Sequence, residues 1–189
     1  MVDDATGVTL ATITSGETAW GVADTLRAWV EKYGIPGALY VDWKTVYLVR
    51  TTEKQRQEGI VAISQFGNMC AKLGIKLIGA NSAQAKGRGH GTHQDRFIKK
   101  MRLKRIGTPE GANEFLKGQY LPEHNRKYAV KPREGADFHR APAKGLDLDQ
   151  VFCLEEERRV GNDWVVRYKQ SLVADRGRAK TCGGGTGGQ

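Results

Sequence analysis

Tyr33-Gly34-Ile35-Pro36-Gly37-Ala38-Leu39-Tyr40-Val41-Asp42 is the stretch whose reading decides the fold. Gly34 can end a helix, and Pro36 prevents its continuation. The apolar run 38–41 has the pattern of a buried parallel strand, and it stops at a carboxylate, Asp42. Upstream, Trp20, Ala23, Leu26, Trp29 and Val30 recur at three- and four-residue spacing, so the spacing predicts a helix ending near Tyr33. Ser15 is placed to cap it, with Glu17 in its first turn. Downstream, 43–58 is polar and irregular. Residues 60–73 read as a second helix closed by Gly74, and 75–78 as another short buried strand. Alternating strands and helices indicate an α/β layered domain. Active sites in such sheets lie outside the C-terminal ends of the strands, and Asp42 sits at such an end.

The flanking segments extend this pattern. Residues 1–4 read as the end of a strand, Ala5-Thr6-Gly7 as a turn, and 8–13 as the next, β-branched strand. A charged helix is expected at roughly 93–104, and a further helix at 109–116 with Thr108 as cap. Residues 120–141 are rich in Pro, His and basic residues and read as a linker. The expected organisation is a domain at 1–141, a small β domain at 142–175 and a disordered Gly-rich tail at 176–189. Within the second domain, 151–173 reads as two strands, a small β hairpin or partial barrel segment. Arg158-Arg159-Val160-Gly161-Asn162-Asp163-Trp164-Val165-Val166 supplies its turn.

Charge narrows the function. The 189 residues carry 30 Lys and Arg against 21 Asp and Glu, a net charge of +9. Such an excess favours polyanions, with nucleic acid first among them. The three cysteines, Cys70, Cys153 and Cys182, are odd in number and far apart. None has metal-ligand spacing, which reads as reduced thiols in a cytoplasmic protein. No run approaches the ~20 apolar residues of a membrane span, so no membrane partner is expected.

The basic residues cluster around one loop and helix, Ala80-Asn81-Ser82-Ala83-Gln84-Ala85-Lys86-Gly87-Arg88-Gly89-His90-Gly91-Thr92-His93-Gln94-Asp95-Arg96. Lys86 and Arg88 lie where a loop enters a helix, a position suited either to phosphate contact or to a solvated charge cluster. Lys99, Lys100, Arg102, Lys104 and Arg105, following Arg96, could track a DNA backbone or form a solvated helix face. His93, three residues from His90, reads as surface or DNA-facing, because no Cys or carboxylate supports the pair as a metal site.

At this point the residues match a family. The chain resembles the integrase catalytic region of bacterial insertion-sequence transposases, closest to the ISNCY-type group. The match is carried by Val2-Asp3-Asp4-Ala5-Thr6-Gly7, by the 33–42 stretch quoted above and by Leu73-Gly74-Ile75-Lys76. It continues through Gln84-Ala85-Lys86-Gly87-Arg88, His90-Gly91-Thr92-His93-Gln94-Asp95-Arg96, Ala112-Asn113-Glu114-Phe115-Leu116 and His124-Asn125-Arg126, in that order. Each motif alone is weak, but their order and spacing together are specific.

The resemblance implies an RNase H-like fold in which three carboxylates hold two Mg²⁺ ions for DNA cleavage and strand transfer. Asp42 matches the second carboxylate, so it is the candidate catalytic and metal-binding residue. The family's first Asp lies on an opening strand that this reading finds missing, and Asp3 and Asp4 end the neighbouring strand instead. The family's Glu, in a pattern Gly-Arg-Val-Glu-Arg-Asn, has no counterpart between Arg88 and His90. Asp95 would sit on the order of 9 Å too far along the helix to replace it. The sequence is therefore expected to encode a truncated and internally deleted transposase, an RNase H-like domain lacking its opening strand and without strand-transfer activity. The alternative is a non-enzymatic remnant that binds DNA or associates with an intact transposase or with itself.

Overall fold

The computed structural model describes residues 1–80, 90–156, 165–168 and 171–174. They form two units, Met1–Leu146 and Asp147–Gln189.

In the first unit, helix α1 (Ala19–Tyr33) turns its Ala23, Leu26, Trp29 and Val30 face inward. Its cap is Thr18, whose hydroxyl accepts from the Gly21 N–H at 3.2 Å. The expected cap at Ser15 is thereby replaced, and Glu17 lies ahead of the helix. Thr18 stands directly before the first helical residue, Ala19, with extended backbone that suits a cap. Gly34 ends α1 at φ +94°, in the left-handed region. A Cβ there would also come within 2.9 Å of the Arg140 carbonyl.

Strand β1 (Ala38–Val41) follows and pairs in parallel with β2 (Lys76–Gly79), Ala38 opposite Lys76 and Val41 opposite Gly79. The two are the whole of this sheet among the described residues. The run 38–41 is not buried throughout: Val41 is buried, whereas Tyr40 is 64% exposed. Helix α1 packs on α3 (Gln65–Lys72) and α3 packs on β2. A strand covered on one face alternates, whereas one covered on both faces would be apolar throughout.

Helix α3 is shorter than the expected 60–73. Ser64 caps it, accepting from the Gly67 N–H at 2.9 Å while donating to the Tyr47 carbonyl at 2.7 Å. That double role fixes the start, leaving Ile60, Val61 and Ile63 exposed ahead of it. Phe66, Met69 and Cys70 are fully buried. Burial pushes the Cys70 thiol up to about 12, which makes it a packing residue. A short helix, α2 (Glu53–Gln57), forms inside the stretch expected to be irregular, held by a Thr52–Gln55 capping box.

The second half of the unit is helical. Helix α4 (His90–Leu103) precedes α5 (Pro109–Phe115), which Thr108 caps as expected. The helix then continues through a π-turn (Leu116–Tyr120) into α6 (Leu121–Tyr128). This replaces the first part of the expected linker. Pro122 is the cause of both the misreading and the π-turn. It has no N–H, and in an α-helix its ring would clash with the carbonyl four residues back. Widening the preceding turn, with the Leu121 N–H reaching the Leu116 carbonyl, carries the chain past it. Phe97, Ala112, Phe115, Leu116, Tyr120 and Leu121 form a core, against which Ala11, Ile13, Met101 and Ile106 pack.

The expected strands at 1–4 and 8–13 reduce to an antiparallel bridge between Val2 and Thr9. Asp3 closes the turn between them by accepting from the Thr6 N–H at 2.9 Å and from its hydroxyl. At Thr9 and Ile13 the backbone of the second segment is met by side chains. Asn125 accepts from the Thr9 N–H and donates to the Thr9 carbonyl, both at 2.9 Å. Asn113 does the same for Ile13, both at 2.8 Å. Two asparagines on helices thus take the place of a neighbouring strand.

Later residues close the unit. Ile35 and Arg140 pair as an antiparallel bridge, and the Arg140 side chain donates to the Leu73 carbonyl at 3.0 Å.

In the second unit Asp147 caps a short helix, α7 (Leu148–Val151), where a strand was expected to begin. Strands β3 (Val165–Tyr168) and β4 (Ser171–Ala174) pair antiparallel. The hairpin expectation is corrected in position. Val165 and Val166 lie in β3 rather than in a turn, as suits β-branched residues. The expected turn residues 158–164 lie outside the described residues, as does the expected disordered tail, 176–189. No helix among the described residues is long and apolar enough to cross a membrane.

Replacing Asn125 with Ala leaves the Thr9 N–H and carbonyl without these partners. The expected loss is about 1–3 kcal/mol of stability, with a similar loss for Asn113→Ala. Urea unfolding of the two variants measures it, and wild-type midpoints would contradict the surrogate-strand role.

Candidate functional site

Parallel pairing brings two chain segments out at one end of the sheet. Asp42 follows β1, and the Ala80 N–H donates to the Val41 carbonyl at 2.8 Å as the chain leaves β2 for the glycine loop. Asp42 is half-buried. Its Oδ1 accepts from the Trp43 N–H at 3.0 Å, and its carbonyl accepts from the Lys44 N–H at 2.9 Å. These bonds curl the chain back over the strand end.

A second carboxylate stands beside this turn. Glu17 accepts from the Lys44 ammonium and from the Tyr47 hydroxyl, the latter at 3.0 Å. The Lys44 hydrogen bond holds the Glu17 carboxyl below its ordinary value, opposed by partial desolvation and by the charge of Asp42. Lys44 is raised in return by the same bond. Burial, then the Glu17 hydrogen bond, pushes the Tyr47 phenol up to about 12. Tyr47 therefore serves as a neutral hydrogen-bond donor. The sequence placed Glu17 in a helical first turn and 43–58 in irregular chain, so nothing in the pattern linked them.

Lys86 and Arg88 lie outside the described residues. His93 is half-buried. Its Nε2 faces the Thr9 hydroxyl at 3.5 Å and its Nδ1 the Tyr120 hydroxyl at 3.3 Å. Its ring lies 4.3 Å, centre to centre, from that of His124. His93 thus ties α4 to the 9–13 segment and to the π-turn. Burial lowers the His124 imidazole, with help from Arg96 and Lys100, which favours an uncharged ring within this aromatic group.

Three of the cations on α4 reach outward, each with a partner. Arg96 donates to the Tyr128 hydroxyl and lies 4.9 Å from that ring's centre. Lys99 pairs with Asp95 at 2.8 Å and Lys100 with Glu123 at 2.7 Å. Exposed pairs of this kind are weak and screened by solvent, so phosphate can replace the carboxylate at little cost. Asp95, the substitute weighed for the missing Glu, is engaged by Lys99. Asn113 and Asn125 carried the family resemblance, and their role in the structure is to hold the 9–13 segment.

Hard oxygen donors suit Mg²⁺, and Asp42 is such a donor. A two-ion centre needs several carboxylates to converge. Among the described residues, no three His, Cys, Asp or Glu side chains do so. Glu17, the nearest addition, is engaged by Lys44 and Tyr47. These residues do not fit a complete Mg²⁺ centre.

The Glu17–Lys44 tether has a defined pH range. Because Glu17 is lowered in the folded state, the tether is fully present above the ordinary carboxyl value of 4.5. It is lost as pH falls through the lowered folded value. Emission from Trp43, isolated by difference against Trp43→Phe, should stay constant above that range and shift on acidification. Glu17→Gln should show the shifted emission already at neutral pH. A variant with unchanged emission would remove the tether from the account.

The chain is similar to a protein named as a transposase, y4bF, from Sinorhizobium fredii, at 34% identity over 177 residues, 91% of this chain and 38% of that protein. It is also similar to the transposase for insertion sequence IS1202 of Streptococcus pneumoniae, at 31% identity over 172 residues, 89% of this chain and 36% of that protein. No family model matches the chain, and no solved structure matches it. The chain spans a little over a third of the length of these curated relatives. It is, over most of its own length, homologous to a segment of bacterial transposases.

Proposed function

We propose that this chain is a transposase-derived protein of DNA transposition, built on an RNase H-like α/β frame of the ISNCY-type group. Asp42 is its one retained catalytic carboxylate. The observation that carries the reading is the placement of Asp42. It ends a parallel strand whose hydrogen-bonded neighbour leads directly into the basic loop and α4. That is where a sheet of this type presents its site. The transposase relatives support the transposase derivation.

The chain by itself does not carry out strand transfer. No Asp or Glu occurs between Ala80 and Gln94, and among the described residues no set of carboxylates converges to share two ions. A cleavage assay on the parent element's terminal repeats, with Mg²⁺ or Mn²⁺, should show no nicking above background. Robust nicking that disappears in Asp42→Ala would sink this conclusion.

DNA is the proposed partner, through Lys86, Arg88, Arg96, Lys99 and Lys100, with His93 positioning α4 from within. A non-enzymatic DNA-binding role is favoured by the net charge of +9. It extends to occupancy of element ends, or to association with an intact transposase or a second copy. Gel shifts across a salt series should show affinity falling steeply with salt. Lys99→Ala with Lys100→Ala should reduce the log–log slope by about 0.9 per lost phosphate contact. Salt-independent binding, or none at low salt, would remove DNA as the partner.

A further inference from the structure

Trp43 is a large aromatic side chain left half open at the end of the sheet. Tryptophan is usually highly buried, yet Trp43 is 51% exposed, directly after Asp42 at the carboxyl end of the parallel sheet. The ring is nevertheless seated. A Cβ on Gly79 would come within 2.5 Å of Trp43 Cζ2 and 2.6 Å of Cε2, so the bare backbone at 79 makes the space the indole rests in. The Trp43 N–H is fixed on Asp42 Oδ1 at 3.0 Å. The exposed Arg50 guanidinium stands 5.8 Å from the ring centre. A large π-surface is therefore held in place, half open to solvent, with a cation beside it.

We propose that Trp43 and Arg50 form a stacking platform for an unpaired base of single-stranded DNA at the carboxyl end of the β1–β2 sheet. This rests on the DNA-acting reading above. Every base has a π-face, so an aromatic ring accepts bases with little regard to sequence, and a guanidinium plane stacks on them as well. Arg50 adds a charge for the adjoining phosphate, in keeping with the basic character of the whole chain. Lys44 offsets the carboxylate of Glu17, which would otherwise repel that phosphate. In an intact duplex the bases stay stacked on one another, so the platform selects strands that are already opened. Its chemistry is separate from metal binding and does not depend on a complete carboxylate set.

The test uses the full chain and one mixed-sequence oligonucleotide, presented as single-stranded DNA, as duplex DNA and as single-stranded RNA. Trp43→Ala should weaken single-strand binding about tenfold while changing duplex binding by less than about twofold. Trp43→Phe should retain most of the affinity, and Arg50→Ala should fall between. Thermal melts establish that each variant folds. Quenching of tryptophan emission by the single strand should be reduced in Trp43→Phe even though binding persists. Equal single-strand affinity for wild type and Trp43→Ala would overturn the platform. So would equal losses on single strand and duplex in Trp43→Ala and Trp43→Phe alike. Tighter binding of the RNA than of the DNA strand would overturn the assignment to DNA. Failure of the wild-type chain to bind any of the three would instead overturn the DNA-acting reading on which the platform stands.

Discussion

Parallel pairing between Ala38–Val41 and Lys76–Gly79 is the constraint from which the candidate site follows. Parallel strands send their chains out at the same end, so two segments far apart in sequence must leave the sheet together. One exit is Asp42; the other leads to the glycine loop and to α4. The close approach is enforced at Gly79, where a side chain would occupy the position of the Trp43 ring. Backbone pairing, a missing side chain and a short turn thus place a carboxylate and an exposed indole together at one end of the sheet.

A different device holds the helical half. The 9–13 segment carries extended backbone groups that need partners, since unpaired buried amides are costly. Asn113 and Asn125 supply donor and acceptor together, each mimicking the paired N–H and carbonyl of a strand residue. This works only if both asparagines point to the same side, although they sit twelve positions apart in sequence. The π-turn lies between them. Besides carrying the chain past Pro122, it changes the rotation between α5 and α6, and with it the directions in which Asn113 and Asn125 project. Tyr120, within that turn, then meets His93 from α4. The 9–13 segment, the π-turn and α4 are consequently locked to one another.

Strong local signals were legible in the sequence: the apolar stripe of α1, both short strands, the charged helix and the Thr108 cap. Asp42 was legible as well, because a carboxylate ending an apolar run before a polar stretch has a positional meaning in α/β sheets. What the pattern hid depended on long-range partners. Ser64 starts α3 late partly because its hydroxyl reaches the Tyr47 carbonyl, which no periodicity contains. Pro122 read as a helix breaker because local rules assume an α-helix, and the chain answered with a wider turn. Glu17 joined the site only through Lys44 and Tyr47, some thirty positions away. His93 looked like a surface histidine, since its neighbours in sequence are polar. Its partners come from residues 9, 120 and 124.

The pairing of the α4 cations bears on how such a surface would meet DNA. A helix with Arg96, Lys99 and Lys100 unopposed would repel itself and its neighbours. Asp95, Glu123 and the Tyr128 ring relieve that strain at the surface, where ion pairs are weak and screened. Because these partners are exposed, exchanging them for phosphate costs little desolvation, and the released carboxylates return to water. The Lys44–Glu17 pair is exposed in the same way, but its acid also receives the Tyr47 hydroxyl, so Glu17 keeps a bond to the segment behind Asp42 when Lys44 turns away. The cations of α4, like Lys44, can thereby exchange partners without loss of the fold. Charge on the helix can vary with partner and salt while the geometry around Asp42 and Trp43 stays fixed.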